Sequence, residues 1–282
     1  LISLNIGVAN EYTSFGCNKK LVGCHDHRNP LTLPEAVQHS CNPYYYNLVK
    51  KIFFKGRNGN MAQLRKGMDD WEKYVRSFGL GDPLGVDLYG EKDGNVPDVK
   101  EYDQIYGKNR WNYRTIYSLS IGQGEFSLTP IQMANLGVIL ANKGHYYTPH
   151  LIREIGNEKL VFSDSNFYHK TLIDSSHFEI VHNGMQWVLE RPGGTAGRSR
   201  LEGVTICGKT GTSQNPHGDD HSVFMAFAPR HNPKIALAVF VENAGGGGGT
   251  AAPIASLMIE KYLKRKVERL KLEQAIVEKV FY

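Results

Sequence analysis

The chain has 282 residues, 41% of them hydrophobic and 22% charged, with 30 glycines, 12 prolines and a formal charge of +5. These proportions exclude collagen-like, low-complexity and wholly disordered chains, and so weak a basic bias gives no case for nucleic acid. The longest clean apolar run, Ile235 to Val241, falls far short of the roughly 20 residues that span a bilayer.

Leu1 to Val8 read as the tail of a helix, with neither the basic region nor the cleavage site of a signal peptide. Residues 12–30 are turn-rich and hold a cluster of cysteines and histidines. Thr32 and Glu35 form a capping box that opens a helix, and a second helix, Pro43 to Ile52, follows the break at Ser40-Cys41-Asn42. Met61 to Phe78 is amphipathic and stops at Gly79-Leu80-Gly81. From Asp82 to Asn112 the Gly, Pro and Asp content predicts a long surface excursion. Thr129-Pro130 starts another helix, which ends at Lys143-Gly144. Tyr146 to Ile155 and Lys159 to Phe162 alternate like a hairpin around Gly156-Asn157. His177 to Leu189 is helical again and stops at Pro192-Gly193-Gly194.

The pattern then changes to three strand-like runs, Val204 to Ser213, His221 to Ala228 and Lys234 to Glu242. Pro229 to Pro233 is a hairpin-length link between the last two. Gly245 to Gly249 is expected to be a flexible hinge, and Thr250 to Lys279 one long terminal helix. Consecutive strands framed by helices predict an α/β fold, an antiparallel sheet sandwiched by helices, with no boundary for a second domain.

Two short segments carry chemistry. In Cys207-Gly208-Lys209-Thr210-Gly211-Thr212-Ser213, a Lys at a strand end followed by two hydroxyls can hold an anion against the strand. Gly211 removes the side chain where a ligand would approach. Ser40-Cys41-Asn42 places a hydroxyl and an amide in a break between helices. Either segment alone reads as a strand end or a helix cap; the pair, in this order, is more specific.

Ser-x-Asn and Lys-Thr-Gly are two of the three motifs shared by β-lactamases and penicillin-binding proteins. The chain resembles the transpeptidase domain of class B penicillin-binding proteins, of the elongation type (penicillin-binding protein 2), over nearly its whole length. The resemblance rests on Leu31 to Tyr46, Gly85-Val86-Asp87-Leu88, Ser120-Ile121-Gly122-Gln123-Gly124 and Thr129-Pro130-Ile131-Gln132. It continues through Gly193-Gly194-Thr195-Ala196, Lys209-Thr210-Gly211-Thr212 and Phe227-Ala228-Pro229, all in family order. It implies the penicillin-binding transpeptidase (β-lactamase-like) fold and a peptidoglycan D,D-transpeptidase that crosslinks stem peptides through a Ser acyl-enzyme and is the target of β-lactams. By the same resemblance Ser40 moves protons, Asn42 binds the substrate amide and Lys209 polarises Ser40. Thr210 and Thr212, around Gly211, bind a carboxylate, and the Thr212 N–H is an oxyanion donor.

The family's third motif is absent, because no Ser here has Lys three residues later. The expectation is one transpeptidase domain over residues 1–282, N-terminally incomplete, beginning just after its nucleophile and inactive alone. Alternatives are a degenerate scaffold or binding module with this fold, or a β-lactamase, for which no deacylating base is evident. Restoring the upstream residues separates a truncated enzyme, which regains acylation, from a degenerate one, which does not. The resemblance also implies a periplasmic place at the bacterial inner membrane, anchored by an upstream helix. Its implied partners are elongation-complex proteins and a glycan polymerase.

Cys17, Cys24, Cys41 and the histidines His25 and His27 supply the donors of a Cys₃His zinc site, against a Cys17–Cys24 disulfide or free thiols. Some relatives resemble this arrangement with a structural Zn²⁺ beside the Ser-x-Asn motif. The matching positions are Cys17, Cys24, His27 and Cys41, with His25 as the other candidate imidazole. A metal on Cys41 would pin the loop between Ser40 and Asn42.

Overall fold

The computed structural model describes residues 1–55, 59–156, 158–159 and 167–279. It divides into two compact units that alternate along the chain, one of Leu1–Ala9 with Tyr46–His177 and the other of Asn10–Tyr45 with Phe178–Tyr282. In chain order the helices are α1 (Ile2–Asn5), α2 (Leu33–His39), α3 (Asn42–Phe54), α4 (Met61–Arg76), α5 (Val99–Tyr106), α6 (Pro130–Ala141), α7 (Phe178–Glu190), α8 (Ala251–Lys264) and α9 (Leu270–Val277). The strands are β1 (His145–Tyr147), β2 (Glu154–Ile155), β3 (Glu158–Lys159), β4 (Tyr168–Lys170), β5 (Cys207–Ser213), β6 (His221–Ala228) and β7 (Ile235–Val241).

The first unit is built around aromatic packing. Phe53 at the end of α3 meets Trp71 of α4 edge-on, with ring centroids 6.0 Å apart, and Tyr113 lies at the same distance. Gly67 lets α4 approach this closely, since a Cβ there would come within 1.9 Å of the Phe53 carbonyl oxygen. The capping boxes of Asn60 with Gln63 and of Thr129 with Gln132 start α4 and α6. The Gln132 side chain also ties the loop between α4 and α5, donating to the carbonyls of Asp82 and Asp93.

Two sequence expectations change in this unit. The long excursion contains α5, which Asp98 caps by accepting the Glu101 N–H at 2.7 Å, with Val99 and Tyr102 turned inward. Tyr146 does not join a local hairpin. β1 pairs antiparallel with β4, with Tyr146 opposite His169, while the tight hairpin is made by β2 and β3. The remainder of the anticipated hairpin, residues 160–162, lies outside the described residues.

The second unit contains the three-stranded antiparallel sheet, in the order β5-β6-β7. Side chains on β6 alternate between two helical layers. Phe224 and Ala226 join Ala252, Ala255 and Ile259 of α8 in one buried cluster. On the opposite face the Phe227 ring lies 5.0 Å from His182 of α7. This is the α/β sandwich that the pattern of elements predicts. α7 packs in turn on α2, where Gly184 is required because a Cβ would meet Val37 Cβ at 2.6 Å and the Pro34 carbonyl oxygen at 2.7 Å.

The C-terminal segment is two helices instead of one. Arg265 adopts φ 64° and ends α8, and Arg269 folds back to bond the wholly buried Glu260 at 3.0 Å. Nor is Gly245–Gly249 a simple hinge: a Cβ on Gly247 would lie 2.2 Å from the Val223 carbonyl oxygen and 2.5 Å from that of Gly211. These glycines allow one backbone to lie directly on another.

Replacing Gly184 with Ala gains about 1 kcal/mol of helix propensity but forces α2 and α7 apart, and overpacking typically costs roughly 1–3 kcal/mol. Thermal melts should therefore show a lower Tm for Gly184→Ala. A higher Tm would mean that the two helices do not pack this closely.

Candidate active site and thiol cluster

Ser40 occupies an unusual backbone position. It closes α2 in the left-handed region with φ 50°, and its N–H bonds the Val37 carbonyl at 3.3 Å. A non-glycine residue pays for this conformation; the return is that α2 can end and α3 begin two residues later with the hydroxyl held between them. The Thr32–Glu35 capping box anchors the other end of α2.

Lys209 lies on β5, in register with Met225 of β6. Its Nζ donates to Ser40 Oγ at 2.6 Å and to the Thr210 carbonyl at 2.7 Å. Packing around the ammonium group disfavours its charge and lowers its pKa to about 8. The structure thus brings together two segments 169 residues apart in sequence. Thr210 points to the other face of β5, where its hydroxyl is 2.7 Å from that of Thr195. Thr212 follows on the same face, nearer the end of the strand, and is exposed. Between them Gly211 is closely packed: a Cβ there would come within 3.2 Å of Val223 Cβ, and Gly247 lies against its backbone.

Asn42, the first residue of α3, donates from its side-chain amide to the Gly23 carbonyl at 2.8 Å. It therefore ties the active-site turn to the cysteine-bearing loop. That loop is closed at its base by an antiparallel bridge between Phe15 and Leu31, and shaped by the Asn29 side chain, which accepts the Cys17 N–H at 2.7 Å. Lys19 pairs with Asp26 across it.

Cys17, Cys24 and His27 of the loop and Cys41 of the turn each present one ligand atom, and these atoms all lie within 4.8 Å of one another. His25 is exposed and stands outside the group. The His27 Nδ1–H donates to the Arg28 carbonyl at 2.6 Å, which leaves Nε2 as the unprotonated nitrogen facing Cys24 Sγ at 3.5 Å. Burial pushes the Cys24 and Cys41 thiols above their ordinary pKa, Cys41 strongly. All four cysteines are free thiols; Cys207 is wholly buried beneath α7, its Sγ 3.6 Å from the His182 carbonyl.

Several residues at this site lie in segments that carry the resemblance but are given no role by the sequence. Gln38 is buried and donates to the Pro192 carbonyl at 2.9 Å. His39 is buried, stacks on His27 at 5.4 Å, and hydrogen-bonds the Gly193 backbone. Thr195 reaches Thr210. Each acts across more than ten residues of chain, and local pattern does not encode such contacts.

The fold and the paired motifs define a penicillin-binding transpeptidase domain. Residues 1–260 match the family model of the penicillin binding protein transpeptidase domain, and the chain belongs to that family. It is 32% identical to the peptidoglycan D,D-transpeptidase MrdA of Escherichia coli K12 over 235 residues, covering 77% of this chain and 35% of that protein. With MrdA of Haemophilus influenzae it shares 29% identity over 256 residues, 84% of this chain and 37% of the relative. The chain thus spans a little over a third of the length of these curated relatives. Among solved structures, PBP2 of Pseudomonas aeruginosa in complex with WCK 5153 superposes with a TM-score of 0.75 at 29% identity, covering 95% of this chain and 58% of that one.

The Lys209 environment sets a pH dependence. With a folded pKa of about 8 against the ordinary 10.5, folding costs most while both states hold the proton. As pH rises from 8 towards 10.5 the folded chain releases its proton first, the unfolded chain binds more, and stability rises. Chemical denaturation of the wild type and Lys209→Met across this window should show the wild type gaining on the variant. A constant difference would place the amine in a water-like setting.

Proposed function

We propose that this domain carries the proton-transfer and carboxylate-binding half of a D,D-transpeptidase site, acting on peptidoglycan stem peptides and acylated by β-lactams. The observation that carries this reading is the 2.6 Å contact between Lys209 Nζ and Ser40 Oγ, which joins two family motifs into one hydrogen-bonded pair. In the reaction the Ser of a Ser-x-x-Lys segment attacks the carbonyl carbon of the donor D-Ala-D-Ala bond. The C–N bond breaks, and the leaving amine takes a proton relayed through Ser40. Lys209, with its lowered pKa, polarises Ser40 and adds positive charge near the developing oxyanion. Asn42 binds the substrate amide, and Thr210 and Thr212, on either side of Gly211, bind the carboxylate. The Thr212 N–H is one oxyanion donor.

The 282 residues contain no Ser-x-x-Lys, so the nucleophile must come from a segment outside them. Intact mass after incubation with a penicillin should show no adduct on this chain and a single adduct on a version extended upstream through a Ser-x-x-Lys. An adduct on neither would favour a scaffold with a transpeptidase fold. An adduct on this chain would assign the nucleophile elsewhere.

Zn²⁺ fits the thiol cluster: the donor set is Cys₃His, a common structural zinc set, and the four ligand atoms all lie within 4.8 Å of one another. Cys17, Cys24, His27 and Cys41 would hold the ion, and the structural link it supplies would fix the turn on which Ser40 and Asn42 sit. The protein is expected to carry about one zinc per chain by elemental analysis, and Cys41→Ser should lose most of it and lower the Tm. A metal-free chain lighter by two hydrogens would instead establish a Cys17–Cys24 disulfide.

Two structural neighbours support a reading of the setting. PBP2 of Helicobacter pylori has been solved in complex with MreC, and another structural neighbour belongs to a peptidoglycan synthase complex that couples polymerization and crosslinking. By this reading the domain works with elongation proteins and a glycan polymerase on the periplasmic side of the inner membrane. Among the described residues no helix is long and apolar enough to cross a membrane, and the anchor would be an upstream helix.

A further inference from the structure

The segment Pro192–Thr195 touches both motif-bearing elements of the second unit. The Pro192 carbonyl accepts from Gln38 at 2.9 Å. Gly193, at φ 79°, lies against His39, so that a Cβ would come within 2.8 Å of its Cε1. Gly194 crosses the end of α7 at van der Waals limits, its missing Cβ being 2.4 Å from the Trp187 and Val188 carbonyl oxygens. The next residue, Thr195, meets Thr210 hydroxyl to hydroxyl at 2.7 Å. From behind, Gly248 closes on the Thr195 carbonyl, where a Cβ would lie at 2.1 Å. Four consecutive residues therefore span from the turn before Ser40 to the strand of Lys209, with no room to shift at either end.

We propose that Thr195 is a positioning residue for carboxylate recognition, orienting the Thr210 hydroxyl through their shared hydrogen bond. A hydroxyl has one proton. When Thr195 donates to Thr210, the Thr210 proton is left to point at an anion lying along β5. When Thr195 is absent, Thr210 can turn to other acceptors, and the anion loses an aligned donor. The bracket also fixes β5 relative to α2, so that the orientation is set by rigid backbone. This assignment rests on the acyl-transfer reading above. It adds to that reading a residue whose hydroxyl acts only through a neighbour.

The test uses the upstream-extended protein and benzylpenicillin, measuring the apparent dissociation constant and the acylation rate constant separately. Thr195→Val should weaken the dissociation constant about tenfold, the scale of one hydrogen bond to a charged group, and leave the acylation rate constant within about twofold. Thr195→Ser should restore wild-type binding. With the methyl ester of benzylpenicillin, which has no carboxylate, wild type and Thr195→Val should react alike. Unchanged benzylpenicillin binding in Thr195→Val would overturn the proposal, as would an equal loss with the ester, which marks general damage to the site. Absence of acylation in the extended wild type would overturn the acyl-transfer reading and this assignment together. A normal wild type with an indifferent Thr195→Val removes the assignment alone.

Discussion

An amine and a hydroxyl 2.6 Å apart impose most of the demands that the second unit meets. The hydroxyl belongs to Ser40, which must stand in a left-handed turn to emerge between two helices. The amine belongs to Lys209, which must give up much of its hydration to stay there. Neither requirement favours stability, since one strains a backbone and the other desolvates a charge. The surrounding packing offsets both. α2 is locked by its capping box and by the close approach of Gly184, and β5 is held in the sheet along its whole length by β6.

The thiol cluster belongs to the same arrangement. Cys41 lies between Ser40 and Asn42, and the Asn42 amide is bonded to the Gly23 carbonyl beside Cys24. The loop is thereby fastened to the active-site turn twice, through a side chain and through a potential ligand. An irregular loop of this kind has little core of its own, and clustered donors can supply the rigidity that apolar burial does not.

How much was legible in the sequence depended on the range of the contact involved. Capping boxes at Thr32 and Thr129 marked helix starts because the relevant partners lie three residues away. The strand runs were legible from alternation and from the short Pro229–Pro233 link. Helix α5 was hidden because its Asp98 cap and its two inward residues sit in a segment dominated by Gly, Pro and Asp. The break at Arg265 depends on Arg269 reaching the buried Glu260, a contact with no local signature. The glycines at 245–249 signalled freedom, but in the fold they serve proximity. At the site, motif spacing picked out Ser40, Lys209 and the four clustered donors, whereas Gln38, His39 and Thr195 lay in segments that carry the resemblance, without a role until distant segments met.

The pairing register of β5 has a consequence for how this chain can change. Lys209 faces Ser40 because it sits opposite Met225, and Thr210 faces Thr195 because it sits opposite Phe224. A single residue inserted or deleted within β5 would exchange these faces, presenting a threonine where the amine belongs and burying the amine against the α8 layer. An insertion in the Pro229–Pro233 link leaves the alternation of β5 untouched. Length variation in descendants of this sequence is thus confined by parity: strands that carry the chemistry tolerate substitution but not a change in count, and the connections between them are free to grow.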